Sequence, residues 1–164
     1  MPELREFRWR TDKDVVLGFQ QEIYETNFPG FRMSVAFLRD YEAQIRRATR
    51  HPGEKLYVLE DSAGVCGFVW LALITTMVDP FVGYIKNIYV APRLRGQGQG
   101  KLLLKAADDW FRRHGCSKAT LDASVCNGRA VDIYRMAGYE PTRYRMEKDL
   151  AVGDSLADIP GALL

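Results

Sequence analysis

Residues Tyr89–Phe111 read YVAPRLRGQGQGKLLLKAADDWF. A strand-like stretch ends at Ala91-Pro92, Gly96, Gly98 and Gly100 then alternate with Gln97 and Gln99, and a run of helix formers follows. A glycine inside a helix costs up to about 1 kcal/mol against alanine, so three at a helix start need a reason. The backbone supplies one. The first N–H groups of a helix have no intrahelical partner and point outward where the macrodipole is positive. Glycine lets a bulky anion such as a pyrophosphate approach those amides, and it opens φ > 0 at low cost. Arg95 stands at the entrance of such a cradle, placed to add a charge-assisted contact to a phosphate oxygen. An ordinary turn glycine is the alternative, since short glycine patterns are weak signals alone.

Two phosphate loops can be set aside. A Walker loop needs a hydroxyl residue after its Gly-Lys pair, and here Gly100-Lys101 is followed by Leu102. A dinucleotide fingerprint starting at Gly96 or Gly98 would need glycine at Lys101 or Leu103.

Working outward, Leu4–Arg10 reads as a strand ending at Thr11, which is placed as the N-cap of a helix with Val15, Val16, Phe19 and Ile23 at helical spacing. Pro29-Gly30 breaks that helix. A second begins at Ser34 and carries Val35, Leu38, Tyr41 and Ile45 on its apolar stripe. The segments KLYVLED and VCGFVWLALITTM, joined by Ser62-Ala63-Gly64, form a hairpin, and Val82–Val90 adds a third strand of an antiparallel meander. A helix from about Gly98 to His114 is closed by Gly115. Then follow a strand at KATLDASV, a short helix at GRAVDIYRMAG and a last strand at TRYRMEKDL with Tyr144 and Met146 in period two. Residues 1–150 make a single domain, and the tail 151–164, with little periodicity, is expected to be disordered or to make a dimer contact.

Composition bounds the function classes. The 164 residues are 47% apolar and 27% charged, which suits one domain with a full core. The formal charge is +2 and the basic residues are scattered, so no nucleic-acid or membrane-surface footprint stands out. Three cysteines without C-x-x-C spacing suggest neither a disulfide framework nor a zinc site, and a reducing cytoplasm fits best. MPELREFRWR lacks the apolar core of a secretory signal.

The order of elements and two motifs resemble the GNAT superfamily of N-acetyltransferases. Arg95-Gly96-Gln97-Gly98-Gln99-Gly100 matches its Q/R-x-x-G-x-G/A acetyl-CoA motif, and it follows the strand end Ile88–Pro92. Downstream, Asn127, Ala130, Tyr134, Gly138 and Tyr139 stand at the spacing N-x-x-A-x-x-x-Y-x-x-x-G-F/Y. The resemblance implies an α+β fold with a mixed, mostly antiparallel sheet of six to seven strands and about four helices. It also implies that the fourth and fifth strands splay after a bulge, so that the backbone from Ile88 through Tyr89 to Val90 can bond the pantetheine arm of acetyl-CoA. The amides from Gly96 to Lys101 would take the pyrophosphate, Asn127 would contact the pantetheine, and Tyr134 would lie beside the thioester sulfur. No metal is implied.

That resemblance carries a reaction. An uncharged primary amine attacks the thioester, the N–H of Val90 stabilises the oxyanion, and Tyr134 protonates the departing thiolate. A phenol near pKa 10 lies within about two units of a thiol near 8.5. Many relatives use a glutamate on the fourth strand as base, but GYIKNIYV has Tyr84, Lys86 and Asn87 there and no acid. Asp79, Asp122, Glu22 and Glu25 are the candidates, while His51 and His114 sit at helix ends with a surface role as the default. An acceptor pocket would be walled by Phe28, Phe31, Met33, Met77 and Phe81, beside Tyr84, with Asp79 anchoring a cationic amine. Small amines, amino acids, antibiotics and peptide N-termini all remain open as acceptors. A GNAT-fold sensor of acyl-CoA without turnover and a phosphate-binding interaction module are the other readings. A homodimer through TRYRMEKDL and the tail is expected from the resemblance.

Overall fold

A computed structural model describes residues 1–150; the tail 151–164, with its expected disorder or dimer contact, lies outside the described residues. The strands β1 (Glu3–Glu6), β2 (Glu54–Asp61), β3 (Gly64–Ile74), β4 (Val82–Val90) and β5 (Lys118–Leu121) form one sheet in chain order. Neighbours from β1 to β4 are antiparallel, and β5 runs parallel to β4. The helices are α1 (Trp9–Asn27), α2 (Val35–Ala48), α3 (Gln99–Arg113) and α4 (Gly128–Met136), with a 3-10 turn over Pro92–Leu94. No helix of the described residues is long and apolar enough to cross a membrane.

β3 is apolar along its length because both faces of the sheet are covered there. Phe68 and Trp70 pack with Val16, Tyr41 and Ile45 beneath α1 and α2. The alternate residues Val69 and Leu71 pack with Leu103, Ala107, Trp110 and Phe111 beneath α3. Burying one such side chain as fully as Leu103, at 0% exposure, contributes roughly 1.5–3 kcal/mol. α3 sits close on β4, since a Cβ at Gly83 would come within 2.4 Å of the Phe111 ring.

A bulge then shapes the site. The β3–β4 register passes from Trp70↔Asn87 to Leu71↔Ile85 and leaves Lys86 as the extra residue. Two consecutive side chains therefore share one face. Lys86 Nζ stands 4.0 Å from the Trp70 ring centroid, and Asn87 bonds the Tyr41 hydroxyl, both on the α1–α2 side. β4 pairs with β5 only over Val82–Ile85, so beyond the bulge its outer edge has no strand partner among the described residues. The Ala91 N–H bonds the Cys66 carbonyl at 2.8 Å. Backbone alternation then turns the N–H groups of Val90 and Ile88 toward that open edge.

Three expectations are corrected. The first helix starts at Trp9 with Arg8 as its N-cap, a turn before the expected Thr11. The cause is Asp12, whose carboxylate is tied to Arg5 and accepts the Arg8 N–H at 2.7 Å, while the Thr11 hydroxyl also donates to it. The fifth strand ends at Leu121, and Asn127 N–H then bonds the Ser124 carbonyl in the turn that leads to α4. TRYRMEKDL forms no strand, which leaves five strands among the described residues rather than six to seven. Tyr144 and Met146 are 88% and 90% exposed; alternation specifies a strand only where one face is buried.

Candidate functional site

The glycine loop has the form expected of an anion cradle. Gly96 and Gly98 have φ of 79° and 81°, the left-handed region in which a side chain is strained. Gly98 is also the N-cap of α3. Gly100 needs no such φ, and a Cβ there would meet nothing within 4 Å. Neither conformation nor packing within the protein requires a glycine there. The backbone N–H groups of Gly96, Gln97, Gly98, Gln99 and Gly100 have no partner among the described residues. Lys101 differs from expectation. Its N–H already bonds the Gly98 carbonyl at 3.1 Å, so five amides rather than six face outward.

Arg95 folds back from the cradle instead of reaching over it. Its Nε donates to the Val90 carbonyl at 2.9 Å, and another nitrogen donates to Glu22 at 2.6 Å. Glu22 also accepts from the Tyr89 hydroxyl at 2.5 Å. Burial alone would raise the Glu22 carboxyl, but the bonds from Tyr89 and Arg95 outweigh it and hold the group below its ordinary range. Glu22 is thus a fixed carboxylate that ties α1 to the loop, and a poor proton acceptor near neutrality. Tyr89 turns its ring onto Phe19 at 4.4 Å, and its backbone faces β3 opposite Phe68, so of the expected run Ile88–Val90 it alone does not present its amide to the open edge. Its hydroxyl is pushed up to about 12 by burial and by the hydrogen bond to Glu22.

Ile88 and Val90 pack their side chains against the α3 cluster, which leaves their backbone for the splay. Asn127 caps α4, its Oδ1 accepting the Ala130 N–H at 3.2 Å and its Nδ2 donating to Asn27 Oδ1 at 3.2 Å. Those bonds join the end of α1 to the start of α4 across the splay. Tyr134 lies on α4 in edge contact with Tyr139, and its hydroxyl bonds none of the described residues. Burial pushes that phenol up to about 12, which keeps it protonated throughout the neutral range and widens its gap from an ordinary thiol.

The expected acceptor wall divides. Phe28 and Phe31 pack against Tyr24 at centroid distances of 5.5 and 5.4 Å, and they border an aromatic group that continues through Phe37 and Tyr41 to Trp70. Asp79 instead stabilises the β3–β4 turn. Its Oδ1 accepts the Phe81 N–H, and its backbone is bonded to Thr76. Asp79 and Phe81 sit at the far end of β4, with Phe81 roughly 16 Å along the strand from the bulge at about 3.3 Å per residue. Tyr84 donates to Asp122 at 2.9 Å, and burial followed by that bond pushes it up to about 12. This contact gives Asp122 a partner from β4. The members not foreseen are Tyr24, Phe37, Tyr41, Trp70 and Asn87, which line a cleft on the α1–α2 side of the bulge, with the buried Gln20 behind Asn87. The one signal for it was the polar pair Lys86-Asn87 interrupting an apolar strand.

Comparison with known proteins agrees with this geometry. Residues 20–139 match the acetyltransferase (GNAT) family. An aminoglycoside N(6')-acetyltransferase type 1 of Klebsiella aerogenes is 34% identical over 58 residues, 35% of this chain and 38% of that protein. A thialysine N-epsilon-acetyltransferase of Bos taurus is 38% identical over 55 residues, 34% of this chain and 32% of that protein. The match thus spans less than half the length of either relative. A protein of Clostridium acetobutylicum described as a predicted acetyltransferase, solved with acetyl-CoA, superposes with a TM-score of 0.76 at 17% identity, covering 94% of this chain and 100% of that one. Shared sheet topology, the glycine loop and the matched span of residues together place this chain in the GNAT family of acetyltransferases.

Proposed function

We propose that the protein is an N-acetyltransferase that moves an acetyl group from acetyl-CoA to a primary amine. The observation that carries this reading is the continuity of one surface. The unpaired edge of β4 beyond Lys86 runs through Val90 into the five unpartnered amides of the glycine loop. An extended chain carrying a pyrophosphate at one end fits that path, bonding the strand edge as an added strand would and placing its anion on the helix start.

When bound, acetyl-CoA supplies an acyl group activated as a thioester: the amine nitrogen forms the new C–N bond, the C–S bond breaks, and the thiol leaves. The chain's own groups set the stage for that exchange. The Val90 N–H faces the open edge and is the donor for developing negative charge on the carbonyl oxygen. The Tyr134 phenol, protonated and without a protein partner, is the proton donor to the leaving sulfur. Glu22, held as a carboxylate by Tyr89 and Arg95, keeps the loop in register with β4. Water takes the ammonium proton in this reading, since β4 holds no acid beside the splay. A cytoplasmic location suits the free thiols of Cys66, Cys116 and Cys126. A homodimer completes the proposal, with residues 142–150 of one copy covering the outer edge of β5 in another; a solution mass twice that of the single chain checks it.

Calorimetric titration with acetyl-CoA tests the reading. Binding by the wild type and its loss in Gly100→Glu, which puts a carboxylate into the cradle, is the expected result. A folded wild type that ignores acetyl-CoA would overturn it.

A further inference from the structure

The cleft beside the bulge has a fixed polarity that can be read from its buried amides. The Val16 carbonyl can only accept, so the Gln20 group 2.8 Å from it is the amide nitrogen. Gln20 Oε1 therefore faces Asn87, and the Asn87 group 3.2 Å away must be its own nitrogen. That nitrogen also donates to the Tyr41 hydroxyl at 3.0 Å. Gln20 and Tyr41 are 0% and 5% exposed, so neither amide can turn over without leaving a buried group unpaired. Asn87 Oδ1 is consequently locked outward as an acceptor, and it bonds none of the described residues. The sequence leaves an amide in the strand that many GNAT relatives furnish with an acid, and the fold orients that amide.

Asn87 lines a cleft of about 240 Å³ walled by Tyr24, Phe37, Tyr41 and Trp70, with the carboxylate of Asp40 at its rim. Lys86 also borders the cleft, but its charge is paired with Glu54 at 3.2 Å and its ammonium lies over Trp70. One carboxylate is thus left unmatched. Aromatic faces and a carbonyl acceptor favour a cation with N–H donors. The single carboxylate at the rim suits a monocation better than a polycation, whose further ammonium groups would meet Lys86 or Arg46, Arg47 and Arg50 of the adjoining groove.

We propose that this cleft is the acceptor subsite, and that it takes a primary amine with one positive charge and an aromatic or branched apolar body. Asn87 Oδ1 accepts an N–H of that amine, and Asp40 balances its charge. This rests on the acetyltransferase reading for what happens to the amine, but its binding can be tested separately.

The test is calorimetric titration of the full chain with phenethylamine, with phenethyl alcohol and with the polycation kanamycin, each run with and without acetyl-CoA. Phenethylamine is expected to bind at least about tenfold more tightly than phenethyl alcohol, because a hydrogen bond to a charged group is lost in the alcohol. Kanamycin is expected to bind no better than phenethylamine. Asn87→Leu should weaken phenethylamine at least about tenfold. Asp40→Asn, at an exposed position that cannot disturb the core, should weaken it about threefold or more. Circular dichroism confirms that each variant is folded. Wild-type affinity in both Asn87→Leu and Asp40→Asn, tighter binding of kanamycin, or no binding of phenethylamine would each overturn the subsite. Phenethylamine binding without any acetyl-CoA binding would support the cleft and overturn the proposed function. The converse would spare the function and remove the cleft.

Discussion

Glu22 on α1 and Arg95 at the mouth of the glycine loop stand 2.6 Å apart, and Arg95 also grips the Val90 carbonyl. One cation therefore links the first helix, the end of β4 and the loop. Both partners are about a third or more exposed, at 32% and 41% of their side chains, so solvent screening limits the pair to about 1 kcal/mol of stability. Its larger effect is expected on geometry. Glu22→Gln should raise the KM for acetyl-CoA several-fold with little change in melting temperature, as read by steady-state kinetics beside a thermal melt. A change in melting temperature with KM untouched would show that the pair is only structural.

The reasons for Gly98 and Gly100 separate experimentally. Gly98→Ala forces a side chain into φ of 81° and should cost about 1–2 kcal/mol of stability. Gly100→Ala sits in the first turn of α3 without that constraint, and should stabilise the fold by up to about 1 kcal/mol. The same Gly100→Ala should weaken acetyl-CoA, because its methyl group stands where the anion approaches. Denaturant midpoints and calorimetry on the two variants check the opposite signs.

Tyr134→Phe removes the proposed proton donor and leaves the ring in its edge contact with Tyr139. The expected outcome is a fall in kcat of about 10²-fold or more with KM for acetyl-CoA nearly unchanged. With its folded value near about 12, the phenol stays protonated below that pH, so the wild-type kcat should show no alkaline fall from this group up to pH of about 10. A pH profile of kcat that fell near neutrality in the wild type and became flat in the variant would contradict the assignment.

Asp12 is 1% exposed and receives Arg5, the Arg8 N–H and the Thr11 hydroxyl. Asp12→Ala breaks a buried pair and uncaps α1, and should cost about 3 kcal/mol. The pH dependence has a definite sign. Burial would raise this carboxyl, but its hydrogen bonds outweigh burial and lower it in the folded state. Its contribution is therefore complete above the ordinary value of 3.8 and is lost as the pH falls through the lower folded value. Urea midpoints for the wild type and Asp12→Ala should differ fully at pH 6 and converge at the acid end.

Local chemistry announced much of this molecule. Pro29-Gly30, Ser34, Gly115 and the Ser62-Ala63-Gly64 turn punctuate the chain through backbone preferences that act over a few residues. β4 and the helix after the glycine loop accordingly lie where their periodicity placed them, over Val82–Val90 and Gln99–Arg113. The glycine loop was legible for the same reason, since positive φ and close anion approach are properties of single residues. What failed locally failed because a distant group intervened. Asp12 moved a helix start by answering to Arg5, and TRYRMEKDL found no buried face to make its alternation count.

The cleft beside the bulge was decided by tertiary structure. No spacing in the sequence joins Gln20, Tyr41 and Asn87, which are separated by 67 and 46 residues along the chain, and the aromatic residues around them read only as apolar helix stripes. The bulge at Lys86 turns Asn87 toward α1 and α2, and the one-way hydrogen bonding of a buried carbonyl then fixes the direction of its amide. By itself the sequence determined the strand–loop–helix that can hold a pyrophosphate, because its requirements are met within one short stretch of backbone. Packing decided the cleft beside the bulge, because it is made of side chains from α1, α2, β3 and β4 that meet only in the folded chain.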